Sequence, residues 1–217
     1  MPLSMAISEP STLITDYLLG GVTAVLTWRL FVLRAPREAA IRYWAGALAA
    51  TAVGSFAGGT YHGFGPTIAP WSASLLWTIT TLAMGVASFL LIASAVTAAF
   101  AGTTRRAIIV LTAIKLMVYS WWMMTHDAFV YVICEYGSTL LFVLVLLAAN
   151  RVRGQDGHRR FLAGGILISI VAAGLQQSGI RLHKHFNHND LMHVVQMGAV
   201  WLLYEGGRRL RDADRRT

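Results

Sequence analysis

Long apolar stretches recur along almost the whole chain and constrain its fold more than any other feature. A helix needs roughly 20 apolar residues to cross the hydrocarbon core of a bilayer. Seven such stretches lie at about 12–33, 41–64, 72–100, 107–125, 129–150, 161–182 and 190–205. None shows the alternation of a membrane β-barrel strand. The sequence therefore predicts an all-α membrane protein, a seven-transmembrane helix bundle forming a single domain over residues 1–217.

Basic residues gather on one side of this predicted bundle. The loops and tail on that side carry Arg34, Arg37, Arg42, Arg105, Arg106, Arg151, Arg153, Arg159, Arg160, Arg208, Arg209, Arg211, Arg215 and Arg216, whereas the opposite loops hold only Arg181 and Lys184. Because basic loops stay in the cytoplasm, we expect an external N-terminus and a cytoplasmic C-terminus. The expected location is a bacterial inner (plasma) membrane.

The net charge of +8 is interpreted in the same way. The basic residues are spread over several short segments, so we expect no nucleic-acid partner. Anionic lipid headgroups next to the membrane account for them, and membrane lipids are the predicted partners. The oligomeric state is left open by the sequence.

Polar side chains from separate segments lie at similar depths near the predicted outer side, where six of the seven histidines fall. With a rise of about 1.5 Å per helical residue, Asp16 lies about 6 Å inside the first span, His62 about 3 Å inside the second and His193 about 5 Å inside the seventh. Such groups must pair or face water, because hydrocarbon cannot satisfy them. They indicate either a site or histidines that contact lipid headgroups.

The residue types fit a metal site. Zinc takes at least three protein ligands, and His62, His188 and His193 are the candidates. Asp190 lies three residues before His193 on the same helix face, where it would replace a ligand or act as a base on bound water. Capping the seventh helix, together with Asn187 or Asn189, is its alternative role.

Two short motifs give the chain a family resemblance. His62 stands in Gly59-Thr60-Tyr61-His62-Gly63 near the end of the second span, and His193 stands near the start of the seventh. In this the chain resembles the CREST superfamily, which includes alkaline ceramidases and the progestin and adipoQ receptors. The resemblance implies a zinc ion held by one histidine of span two and two of span seven, beside a serine and an aspartate.

That resemblance implies hydrolysis of the amide bonds of lipids, and the predicted function is hydrolysis of a lipid amide or ester at an outward-facing site. The predicted metal ligands are His62, His188 and His193, and the predicted catalytic residues are Asp190, Ser55 and Asp16. The alternative is a non-catalytic membrane binder of metal, haem or lipid. A third hypothesis is an ion-coupled transporter that uses Lys115 and Glu135, although we expect these two to form a structural ion pair between the fourth and fifth spans.

Overall fold

Seven α-helices make up most of the computed structural model, which describes residues 7–32 and 37–214. They are α1 (Pro10–Phe31), α2 (Ala39–Phe64), α3 (Pro70–Ala99), α4 (Gly102–Met123), α5 (Phe129–Ala148), α6 (His158–Gln177) and α7 (His188–Gly207), with a 3-10 turn at Gly65–Thr67. These ranges contain no β-strand. The predicted all-helical fold is confirmed. Arg34, Arg215 and Arg216 lie outside the described residues.

Four of these helices, α3 to α6, are long and apolar enough to cross a membrane. Many of their large apolar side chains point outward, including Val110, Met117, Leu141 and Leu167. Exposed apolar surface on this scale is unusual for a soluble protein. The helices therefore indicate a membrane protein.

The helices pack as a ring. Extensive contacts join α3 to α2, α2 to α1, α1 to α7 and α7 to α6, while α5 packs on α3 and touches α6 more lightly. The remaining helix, α4, lies outside the ring against α3. Glycines allow the closest approaches: a Cβ atom added at Gly59 of α2 would lie 2.8 Å from Asp16 Cβ of α1. This ring leaves room for a cavity between the helices.

Contacts between loops show which helix ends lie together. The amide of Ser8 donates to the carbonyl of Gly63 (2.9 Å), so the start of α1 lies beside the end of α2. Thr15 contacts Asp190, which brings the start of α7 to the same place. We call this the N-terminal end of the bundle, and it corresponds to the predicted outer side.

The opposite end is closed by the segment that follows α7. Both carboxylate oxygens of Asp212 accept hydrogen bonds from the first amides of α2, those of Ala39 (2.9 Å) and Ala40 (2.8 Å). The amide of Arg211 donates to the carbonyl of Arg153 in the α5–α6 connection (3.1 Å). The chain after α7 is thus an integral part of the fold.

The connection between α6 and α7 differs from the prediction. The sixth span was expected to continue to residue 182, but α6 ends at Gln177 and Gly179 adopts a positive φ of 66°. Residues 178–187 form a turn with paired backbone groups of His183 and Phe186. Glycine permits the left-handed conformation that ends the helix. His188, which was expected to precede the seventh helix, is its first residue, after the N-cap Asn187.

The ion pair predicted between the fourth and fifth spans is confirmed. Lys115 Nζ of α4 lies 2.7 Å from Glu135 Oε1 of α5. Ser88 of α3 donates to the same carboxylate oxygen (3.1 Å), and Lys115 also reaches Thr139 (3.3 Å). A charge within apolar surroundings requires such partners. This network is one of the links between the outlying α4 and the ring.

Candidate functional site

A cavity of about 440 Å³ lies in the half of the bundle near its N-terminal end. Every helix except α4 contributes to its walls. The lining residues are Asp16, Leu19, Thr51, Gly54, Ser55, Gly58, His62, Trp77, Thr80, Met84, Phe129, Val132, Ile133, Tyr136, Gly137, Leu140, Ser169, Ile170, Ala173, Gln176, Asn189, Met192, His193 and Gln196. The volume lies in the range of small-molecule sites.

An aspartate–histidine pair is the most polar feature of this cavity. His193 Nε2 of α7 lies 3.1 Å from Asp16 Oδ1 of α1. Both residues are buried, with exposed fractions of 5% and 6%. The other carboxylate oxygen, Oδ2, lies on the side of Gly58, where an added Cβ atom would be 3.8 Å away. The pair therefore presents a carboxylate oxygen next to the cavity while its imidazole is held in place.

A second layer of hydrogen bonds fixes the orientation of His193. Its Nδ1 atom lies 3.0 Å from Thr15 Oγ1, which in turn lies 3.4 Å from Asp190 Oδ1. Asp190 is fully buried and its Oδ2 accepts a hydrogen bond from the amide of Asn187 (2.7 Å). The Asn187 side chain in turn caps α7, because it accepts hydrogen bonds from the backbone amides of Asn189 and Asp190. Both nitrogens of the imidazole are therefore engaged, and its ring cannot rotate freely.

The sequence suggested two roles for Asp190, as a residue of the site and as a cap of α7, and the structure bears on both. The capping role is confirmed, because Asn187 and Asp190 form a reciprocal capping box. The same carboxylate also contacts Thr15 and belongs to the hydrogen-bond chain of His193. Asp190 does not line the cavity. Its predicted catalytic role would therefore have to act through Thr15 and His193.

His62 and Ser55, both on α2, face the same cavity as His193. His62 is partly exposed, and its Nδ1 lies 3.4 Å from Glu9 Oε2. Ser55 is buried about two helical turns deeper. The sequence therefore correctly predicted that His62 of α2 and His193 of α7 face the same site. The roles predicted for them remain predictions.

His188 lies apart from this group. It begins α7 but does not line the cavity, and its Nδ1 atom is buried without a hydrogen-bond partner in the described part of the chain. Among residues 7–32 and 37–214, no group of three or more His, Cys, Asp and Glu side chains is placed to hold a metal ion. The predicted zinc triad of His62, His188 and His193 therefore has no supporting geometry here.

Sequence reasoning did not single out Thr15, Trp77 or Phe129 as site residues. Thr15 adjoins Asp16 in the sequence, but its contact with His193 joins residues that are 178 positions apart. Tryptophan is common in the aromatic belts at membrane interfaces, but the Trp77 ring lines the cavity and its Nε1 donates to the carbonyl of Asp127 (2.9 Å). The feature of the sequence that could have pointed to Thr15 is its position next to Asp16.

Comparisons with known proteins give a family but no activity. No curated protein and no solved structure matches the chain. One family model, described as a family of unknown function (DUF6962), matches residues 11–212. That range covers all seven helices except Pro10, the first residue of α1, and nearly the whole chain. The protein is therefore a member of the family of unknown function DUF6962.

Proposed function

We propose that all seven helices span a bacterial inner membrane, with the N-terminus outside and the C-terminus in the cytoplasm. The arginine distribution supports this orientation through the positive-inside rule. The additional spans are α1, α2 and α7, which share the cavity with the more apolar helices. With this orientation the cavity lies in the outer half of the bilayer.

The protein's function is then to bind an amphipathic, lipid-like molecule in that cavity. One observation carries the proposal: an apolar cavity within a membrane bundle holds a buried Asp16–His193 pair in its wall. Leu140, Met84 and Ile170 provide an apolar surface for a hydrocarbon chain. Pockets with mostly apolar walls and a few fixed polar groups are typical of small-molecule sites.

A matched pair of glycine variants tests the binding. Gly137 lines the cavity and Gly174 does not, and an added Cβ atom meets nothing within 4 Å at either position. We expect Gly137→Leu to reduce the amount of lipid that co-purifies with the protein, measured by mass spectrometry of extracts. Gly174→Leu should retain the wild-type amount. Equal lipid content in both variants, or none in the wild type, would refute the proposal.

Hydrolysis of a lipid amide or ester is the second candidate function, and the Asp16–His193 geometry favours it. The Asp16 carboxylate would take a proton from a water molecule, whose oxygen adds to the substrate carbonyl. The proton would then pass to the departing amine or alcohol as the carbon–nitrogen or carbon–oxygen bond breaks. His193 would orient the carboxylate.

Turnover of fluorescent lipid amides and esters tests this second function. If the wild type hydrolyses either, Asp16→Asn should lower the rate by about 100-fold or more, the usual effect of losing an acid–base group. Metal analysis of the same preparation tests the sequence-based zinc hypothesis. Stoichiometric zinc would support the zinc site implied by the resemblance to the CREST superfamily. Haem absorbance would favour the haem-binding alternative. Absence of turnover in the wild type leaves binding alone as the function.

A further inference from the structure

We infer that the amphipathic molecule bound in this cavity carries a positively charged head, a quaternary or protonated amine. This inference rests on the proposed binding function and names the chemical class of the ligand. Two independent features support it: a carboxylate in the cavity wall with no lysine or arginine among the described lining residues, and the aromatic rings that line the same cavity.

Three carboxylates lie in or next to the polar part of the cavity. Asp16 lines it, Asp190 lies behind it, and Glu9 contacts His62 at 3.4 Å. The basic groups in the lining are the imidazoles of His62 and His193, and the lining within the described part of the chain includes no lysine or arginine. A buried carboxylate such as Asp16 or Asp190 requires a proton or a cation to balance its charge.

Aromatic rings line the same cavity as Asp16. Trp77 and Phe129 both line the cavity, and their ring centroids are 5.9 Å apart. The Tyr61 ring packs against the Trp77 ring, with their centroids 4.9 Å apart. The hydrogen bond from Trp77 Nε1 to the carbonyl of Asp127 holds the indole in place. A fixed aromatic surface attracts a cation placed within about 6 Å of a ring centroid.

The two features together favour a cation over a neutral or anionic head. An anionic head would lie next to the Asp16 carboxylate without a lysine or arginine in the lining to offset it. A neutral head would gain little from the aromatic faces. A quaternary or protonated amine gains from both, and its hydrocarbon chain can lie along Met84 and Leu140. The recognised chemistry is therefore a cation attached to an apolar chain.

Two probes that differ only in charge test the inference. The octyl ether of choline carries a trimethylammonium group, and octyl 3,3-dimethylbutyl ether has carbon in place of the nitrogen; neither has a bond that a lipid hydrolase would cleave. Binding is measured by calorimetry on protein in dodecyl maltoside, whose headgroup is neutral, with protein-free micelles as the blank. We expect the cationic ether to bind about tenfold more tightly or better, the scale of a desolvated cation–π contact plus a carboxylate.

Variants separate the cavity from the protein surface. Trp77→Leu and Asp16→Asn should each remove most of the preference for the cationic ether, measured as the ratio of its affinity to that of the neutral ether. Trp71→Leu is the matched control, because Trp71 lies on the same helix, is 72% exposed and does not line the cavity. The control should keep the wild-type preference. If Trp77→Leu does not fold, Asp16→Asn alone decides, since it conserves the side-chain shape.

The outcomes distinguish this inference from the function it rests on. Equal affinity for the two ethers would overturn the cationic head but leave the binding function intact. Binding of neither ether above the micelle blank would overturn both. Choline without a chain is the third probe: affinity equal to that of the cationic ether would support cation recognition and identify the source as a free soluble cation.

Discussion

Gly59 is one of the glycines that let α1 and α2 approach closely, and it lies against Asp16. A Cβ atom at Gly59 would lie 2.8 Å from both Asp16 Cβ and Tyr17 Cδ1. Gly59→Ala should therefore separate the helices, lower the melting temperature and displace Asp16. Gly21→Ala on α1 is the control, because an added methyl group there meets nothing within 4 Å. Equal melting temperatures of the two variants in detergent would contradict this account.

The Lys115–Glu135 pair gives a second prediction for single residues. Lys115→Met leaves a carboxylate unpaired, and Glu135→Leu leaves an ammonium unpaired; each should cost about 1–3 kcal/mol of stability. The double variant should cost less than the sum of the two, because no charge is then left without a partner. A double-mutant cycle in detergent measures the coupling. Additive losses would show that the 2.7 Å contact contributes nothing to stability.

The individual site residues were only partly predictable. Asp16, His62 and His193 stand out because each is polar in an apolar stretch and lies near the same end of the bundle. Asp190 was recognised through its spacing from His193, but its contact with Thr15 joins two helices and leaves no local pattern. Tryptophan is typical of the aromatic belts at membrane interfaces. Only the packing of α3 against α5 therefore reveals that Trp77 lines a cavity.

At the scale of elements, the segment after α7 acts as a cap for α2. Asp212 accepts two amide hydrogen bonds at the start of that helix, and losing such a cap usually costs about 0.5–2 kcal/mol. Asp212→Ala should therefore lower the melting temperature. Asp214→Ala is the control, since its ion pair with Arg105 is solvent-exposed and such pairs contribute little. Similar melting temperatures for the two variants would argue against the capping role.

Helix existence was easier to predict than helix ends. Apolar stretches mark all seven helices because lipid or core contacts require apolar side chains along their length. Their ends depend on local backbone chemistry: Gly179 terminates α6 early, and Asn187 starts α7 at His188 rather than after it. The capping by Asp212 was invisible in the sequence, because it joins residues more than 170 positions apart.

For the whole molecule, the arginine asymmetry predicts the orientation in the membrane. A reporter fused after Thr217 or inserted at 154–157 should read cytoplasmic, because these positions adjoin the most basic segments. A reporter before Pro2 or inserted at 178–187 should read external. The two insertions are matched controls for each other, since they lie at opposite ends of α6. An external C-terminal reading would invert the bundle, place the cavity in the cytoplasmic half of the bilayer and change the pool of lipids available to it. Agreement of all four reporters would establish that Asp16 and His193 lie towards the outer face.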